Sequence, residues 1–361
     1  MTQMSRAQRI SESCVNVGAV VISNGTSPFL DLTFWYVTEQ SSGTFEGSLA
    51  IISDGCLDVV TGPLEETTAK KGKGNVHVYR TREERNGIIL KLLKGHERIG
   101  ICGPSVTYNA SEYLKRISGA ELVDVSSNID GVMSIKDEKE ISEIRKACEI
   151  SSKTASRIPE MLHDGISEKE MACSIDADMR NNGGSGNAFE TIAAFGPHSA
   201  EPHHRPSDYK IKRGDAALFD FGSKYGMYCS DMTRTVFFGD PGSVMKRAYD
   251  IVSKAKIAGM AEMYDGASAK NADIAARNVI DESEFKGMFI HSFGHGIGMN
   301  VHEHPSVSET SGAILKEGMI VSAEPGIYIP GAGGIRIEDT MLITKNGAEA
   351  LTEFDREYTV I

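Results

Sequence analysis

Four acidic side chains lie in or beside stretches apolar enough to be buried strands. Asp220 sits inside Ala217-Leu-Phe-Asp-Phe221 and Asp231 follows it. Glu324 ends Met319-Ile-Val-Ser-Ala-Glu324, and Glu338 lies within Gly334-Ile-Arg-Ile-Glu-Asp-Thr-Met-Leu-Ile343. Burying a carboxylate costs several kcal/mol unless positive charge compensates it. Arg234 and Arg336 are the candidate bases nearby, too few for four acids, and divalent metal is the simplest source of the missing charge. The histidines point the same way: four of the chain's 10 fall in His291-Ser-Phe-Gly-His295-Gly-Ile-Gly-Met-Asn-Val-His302-Glu-His304. His291 and His295 have the i, i+4 spacing of a zinc helix, but Gly294, Gly296 and Gly298 oppose a helix and no Glu follows His291. The segment reads as a glycine-rich loop or strand edge where imidazoles converge. Pro202-His203-His204 adds two more.

The elements that must hold these residues fall into two groups. Before Asp130, short β-branched runs predict strands at 19–23, 49–53, 57–61, 76–79, 98–102 and 121–125, with helical spacing over 81–93 and 111–117, a small α/β domain. Asp137-Glu-Lys-Glu140 opens a long helix to about Leu162, stopped by Gly165, so a boundary is expected near 128–136, dividing the chain into 1–130 and 131–361. Beyond it, helices are expected at 167–179, at 246–264 and from Asn271. Strands are expected at 216–222, 234–239, 319–329 and 335–344, an α+β domain. Two strand pairs each carry two of the acids.

Composition narrows the function. The 361 residues hold 38 Lys plus Arg against 50 Asp plus Glu, a formal charge of −12, which disfavours nucleic acid as a partner. No run approaches the roughly 20 apolar residues of a membrane span. The polar Met1–Cys14 stretch lacks an apolar signal region, and the six cysteines are scattered without a Cys-x-x-Cys pair. Both features predict a cytoplasmic protein with reduced thiols.

Taken in order, Asp220, Asp231-Met-Thr-Arg-Thr235, His291-x-x-x-His295-Gly-x-Gly, Glu324-Pro-Gly-x-Tyr328 and Gly334-x-Arg336-x-Glu338-Asp resemble the pita-bread (M24-type) metallopeptidases, in their Xaa-Pro dipeptidase (prolidase) and Xaa-Pro aminopeptidase branch. The motifs run from about Phe189 to Glu338, and the N-terminal part resembles the family's creatinase-type domain in size and element order. The resemblance implies a pita-bread catalytic domain behind a smaller α/β domain, and two divalent ions per subunit. Asp220 would hold one ion, His295 and Glu324 the other, and Asp231 and Glu338 would bridge them. The oxygen-rich set favours Mn²⁺ or Co²⁺, with Fe²⁺ or Zn²⁺ open. A hydroxide shared by the ions would attack the scissile carbonyl, with Glu324 as proton shuttle. His302, His203 and His291 would serve the substrate side, Tyr328 would orient Glu324, and Arg336 would hold a bridging carboxylate or the substrate's C-terminal carboxylate. The bond before proline is a tertiary amide without N–H, which such a site need not grip. The expected partner is a short proline-containing peptide, and the expected assembly a homodimer.

Two other readings stand beside this one: a creatinase-like C–N hydrolase that needs no metal, and a pita-bread binding module without catalysis. The intact ligand-type residues argue against both. His198, His204 and His304 read as polar loop residues, Trp35 as N-terminal core, and Lys70-Lys-Gly-Lys73 as a solvated loop.

Overall fold

A computed structural model describes residues 4–353 and 356–361, so the start of the polar N-terminal stretch lies outside the described residues. The chain divides into two compact units, one ending at Met133 and one beginning at Ser134.

The first unit is built on a six-stranded mixed sheet. Its order is Asn75–Val78, Cys56–Thr61, Leu49–Ser53, Ala19–Ser23, Arg98–Ile101 and Glu121–Asp124. Helices Arg82–Leu92 and Tyr108–Ser118 supply Ile89 and Leu114 to a core with Val21, Ile51 and Ile99. Trp35 is buried and meets Phe34 and Phe45 edge-on, at centroid distances of 5.5 and 6.1 Å. The sequence pattern misses the helices Arg6–Ser13, Leu32–Thr38 and Ser126–Ser134. The last occupies the stretch expected to be a boundary. Ser126, Asn128 and Gly131 are weak helix formers, and tertiary bonds hold it instead: Asn128 Nδ2 donates to the Ser13 carbonyl at 2.7 Å and Arg9 to the Val132 carbonyl at 2.7 Å.

The second unit repeats one plan twice: a helix pair covering antiparallel strands. Helices Glu138–Ser156 and Glu168–Asn181 cover strands Ile192–Phe195, Asp215–Phe221 and Met232–Phe238, packing Ile150, Met171 and Ile175 on Phe219, Phe221 and Val236. Helices Gly242–Ala261 and Ala269–Asp281 cover a second layer through Val252, Ala255 and Ala272 against Phe293, Val321 and Ile337. That layer holds Ile320–Ala323 paired with Asp339–Thr344, and Gly326–Ile329 paired with Gly333–Arg336. Asp137 caps the first helix by accepting from the Glu140 amide at 2.9 Å. The expected single helix to Leu162 breaks at Arg157, because Pro159 cannot donate the bond a continuous helix needs. The two long C-terminal strands also divide, at Glu324-Pro325 and at Ile337-Glu338, where the chain passes from one sheet to the other. No helix among the described residues is long and apolar enough to cross a membrane.

Candidate active site

Alternation along each strand decides which side chains face inward to a common cavity. Phe219 and Phe221 enter the helix-facing core, so Asp220 points the other way, opposite Thr233 in register. Ile335 and Ile337 enter the second core, so Arg336 and Glu338 share the opposite face; Val321 and Ala323 do the same for Ser322 and Glu324. His295 lies on the short strand Gly294–Gly296. A Cβ on Gly294 would stand 2.2 Å from the Ser322 carbonyl oxygen and one on Gly296 2.3 Å from that of His304, so glycine on either side lets this strand press against its neighbours.

The result is one cavity of about 830 Å³ lined by Asp220, Asp231, His295, Glu324, Arg336 and Glu338, with His203, His291 and His302 also on its wall. His295 Nε2 is 3.3 Å from Glu324 Oε1 and 3.6 Å from Asp231 Oδ2. Ligand-capable atoms of Asp231, His295 and Glu338 all lie within 4.8 Å of one another. Arg336 NH2 donates to Asp220 Oδ2 at 2.6 Å and its Nε to Thr233 Oγ1 at 2.9 Å; Thr233 then donates to Glu338 Oε2 at 2.6 Å. Ser322 Oγ accepts from the His295 amide and donates to Glu324 Oε1, both at 3.0 Å. These bonds leave Asp220 Oδ1, Asp231 Oδ1 and Glu338 Oε1 buried without a partner. Unpartnered carboxylate oxygens in a buried cluster that includes an imidazole are the donor set a divalent cation requires, so the residues fit the metal ions expected.

Electrostatics reflect the crowding. Burial, then repulsion by Glu324 and Asp220, pushes Glu338 up to about 8. Burial, then repulsion by Glu338, Asp220 and Glu324, raises Asp231 well above the carboxylate range. Burial also raises Asp220, against the pull of Arg336. Glu324 goes the other way, to about 2: burial opposes ionisation, but His295, His291 and Arg336 outweigh it. His295 rises to about 9, its carboxylate neighbours overcoming burial.

A pH dependence follows. Glu338, ordinarily 4.5, and His295, ordinarily 6.5, both bind protons more tightly folded than unfolded. His295 therefore contributes stability that is full below 6.5 and lost as pH rises through about 9. Glu338 adds a loss of the same sign between 4.5 and about 8. Glu324 has the opposite sign, but its window lies between about 2 and 4.5. Metal-free protein is expected to show a Tm that falls from pH 5 to pH 9, with most of the slope removed by saturating divalent ion, which takes the place of the protons. Thermal melts with chelator and with added metal check this; a flat metal-free profile contradicts it.

The remaining expected residues have definite surroundings. Arg336 NH1 donates to the Tyr328 hydroxyl at 2.8 Å, and that hydroxyl meets His291 Nε2 at 2.8 Å. His291 Nδ1 meets the Ser292 carbonyl at 2.9 Å, and burial lowers its pKa, so the neutral ring donates through Nδ1 and accepts from Tyr328. Tyr328 is thus bonded to Arg336 and His291, in place of the Glu324 carboxylate that sequence reasoning assigned to it. His291 has protein partners on both ring nitrogens, which leaves neither free for a substrate. Arg336 holds Asp220 directly and Glu338 through Thr233. The His302 ring lies 4.2 Å from the His295 ring, and burial, then His295, lowers its pKa. Arg234, a candidate partner for the site acids, pairs instead with Asp339 at 2.7 Å. Sequence reasoning missed Thr233 and Ser322, although each stands two residues from a site acid and shares its face.

Comparison with known proteins places this arrangement. Residues 142–345 match metallopeptidase family M24. The chain is 42% identical over 270 residues to an Xaa-Pro dipeptidase of Pyrococcus furiosus, covering 74% of this chain and 77% of that one. Among solved structures, an Xaa-Pro dipeptidase from Bacillus anthracis superposes with a TM-score of 0.92 at 29% identity, over 99% of both chains. An X-Pro aminopeptidase from Thermotoga maritima superposes at 0.89 with 30% identity, over 97% of this chain and 99% of that one. The second unit has the pita-bread fold, and the chain belongs to metallopeptidase family M24.

Proposed function

We propose that this protein is a dinuclear metal-dependent exopeptidase that hydrolyses the Xaa-Pro bond of dipeptides or short peptides. The observation that carries the reading is the group of buried, unpartnered oxygens on Asp220, Asp231 and Glu338 beside His295 and Glu324 in one cavity. The names of the similar dipeptidases and aminopeptidase supply the substrate class. Asp220, Asp231, His295, Glu324 and Glu338 would hold the ions. Mn²⁺ or Co²⁺ suits such oxygen-rich coordination best, with Fe²⁺ and Zn²⁺ as alternatives. When bound, two such ions supply Lewis acidity at the scissile carbonyl and a water acidic enough to react near neutral pH.

The chain's own residues do the rest. Glu324, ionised at neutral pH, accepts the proton released from the attacking water and delivers it to the departing prolyl nitrogen. His302 and His203, both on the cavity wall, offer hydrogen bonds to the substrate and to the oxygen that becomes negative. Arg336, Thr233 and Tyr328 keep Asp220, Glu338 and His291 in place. All six cysteines are unpaired, which suits a cytoplasmic setting, and a homodimer is the assembly proposed.

Metal-loaded protein is expected to hydrolyse Ala-Pro, Met-Pro or Ala-Pro-Phe in an assay with Mn²⁺ or Co²⁺. Cleavage of the dipeptides alone makes it a dipeptidase, and cleavage of the tripeptide an aminopeptidase. No hydrolysis of any of them would overturn the proposal.

A further inference from the structure

One wall of the cavity is formed by the segment after strand Ile192–Phe195, which contributes Ala200, Glu201, Pro202 and His203. Beyond Ser199, which is buried and accepts from the Gly334 amide at 2.8 Å, this segment has little core of its own: Pro202 and Tyr209 are half-buried, while Glu201, His203 and Arg205 are exposed. Something outside it must fix its path. That role falls to Glu168, the first residue of helix Glu168–Asn181, whose carboxylate is fully buried.

Glu168 holds the segment at both ends. Oε1 accepts from the Phe195 amide and meets His198 Nδ1, both at 2.9 Å. Oε2 meets His204 Nε2 at 2.9 Å and accepts from the Ser207 amide at 3.0 Å and the Ser207 hydroxyl at 2.6 Å. His204 Nδ1 in turn meets Glu201 Oε2 at 2.9 Å, so one imidazole links the buried carboxylate to an acid on the cavity wall. The His198 and His204 rings stack at 4.5 Å, and Tyr209 packs on His198 at 4.7 Å. His203 is the residue next to this clasp, and it lines the same cavity as His302. A cation competing for Glu168, His198 and His204 would have to displace hydrogen bonds that already satisfy the carboxylate, so the cluster is a clasp and not a second metal centre.

We propose that Glu168 and His204 are positioning residues that set His203 on the substrate side of the cavity, by pinning both ends of the 196–207 segment to one buried carboxylate. The inference rests on the peptidase reading for the role of His203, while the clasp itself can be tested without substrate.

The test uses Glu168→Gln and His204→Ala, each in the wild-type and in a His203→Ala background. With Ala-Pro as substrate and metal content measured throughout, each variant is expected to lower kcat/KM about tenfold in the wild-type background and to have almost no effect once His203 is gone. Equal fold-losses in both backgrounds would mean general damage to the fold and would overturn the proposal. Hydrogen exchange is read in parallel on metal-loaded protein without peptide. Amides of 196–207 should exchange faster in both variants while those of strand Asp215–Phe221 keep wild-type protection. Unchanged exchange over 196–207 overturns the clasp even if no Xaa-Pro peptide proves to be a substrate. Failure of Glu168→Gln to fold leaves His204→Ala, which keeps the buried carboxylate and four of its five hydrogen-bond partners, to decide the question.

Discussion

Glu324→Gln is expected to lower kcat on Ala-Pro by about a thousandfold, within the range that general acid–base groups contribute, while the protein stays folded. The substitution keeps the shape and one oxygen but removes the negative charge and the capacity to accept a proton. In the native site the charge is strongly favoured: His295 stands 3.3 Å from Oε1, Ser322 donates to the same oxygen, and the carboxyl is held down at about 2. A glutamine amide presents N–H groups to His295 or to Ser322 where an acceptor is needed. Steady-state kinetics with metal content measured on the same samples decides the matter. Activity within tenfold of wild type at equal metal occupancy would remove Glu324 from the proton path.

Asp339→Asn is expected to cost about 3–5 kcal/mol of stability, the usual result of stripping one partner from a buried ionic group. Asp339 is fully buried and meets three cations: Lys256 Nζ at 2.5 Å, Arg234 NH2 at 2.7 Å and Arg356 Nε at 2.7 Å. Burial opposes its ionisation, but Lys256, Arg234 and Arg356 hold it well below the carboxylate range. Lys256 is lowered to about 8 by burial against the attraction of Asp339, so both groups carry charge at pH 7. Their hydrogen bonds also reach the backbone that carries the site. Lys256 donates to the Ala323 and Ile337 carbonyls at 3.2 and 3.3 Å, and Arg234 to those of Thr233 and Glu338. Loss of Asp339 therefore leaves two buried cations uncompensated directly behind Glu324 and Glu338, and metal affinity should fall with stability. Replacing the cation as well, in Lys256→Met with Asp339→Asn, is expected to recover part of the loss. Denaturant unfolding of the three proteins checks both statements; a loss below about 1 kcal/mol for Asp339→Asn would show that the network carries little.

The chemistry was legible in the sequence because burial and ionisation conflict. An acid inside an apolar strand announces a compensating partner, and Asp220, Glu324 and Glu338 each sit in such a strand or at its end. The strands of the first unit were equally legible, since β-branched runs between turn residues leave few alternatives. Helix Ser126–Ser134 was not, because it is held by Arg9, Ser13 and Asn128 across the fold and not by its own propensities. The breaks at Glu324-Pro325 and Glu338 were also hidden: an apolar run reads as one strand whether or not it changes sheets partway.

Side-chain partners in the site belong to the tertiary structure. Linear order places Tyr328 close to Glu324, yet its hydroxyl bonds Arg336 and His291. It lists Arg234 and Arg336 as equivalent bases, yet one pairs with Asp339 and the other with Asp220. His198 and His204 read as ordinary loop polarity until Glu168, far upstream in the chain, is found beneath both. Residue types and strand parity therefore determined which chemistry this chain supports. Which donor satisfies which acceptor was decided only by folding, because hydrogen bonds are directional over about 3 Å and depend on elements distant in sequence being brought into register.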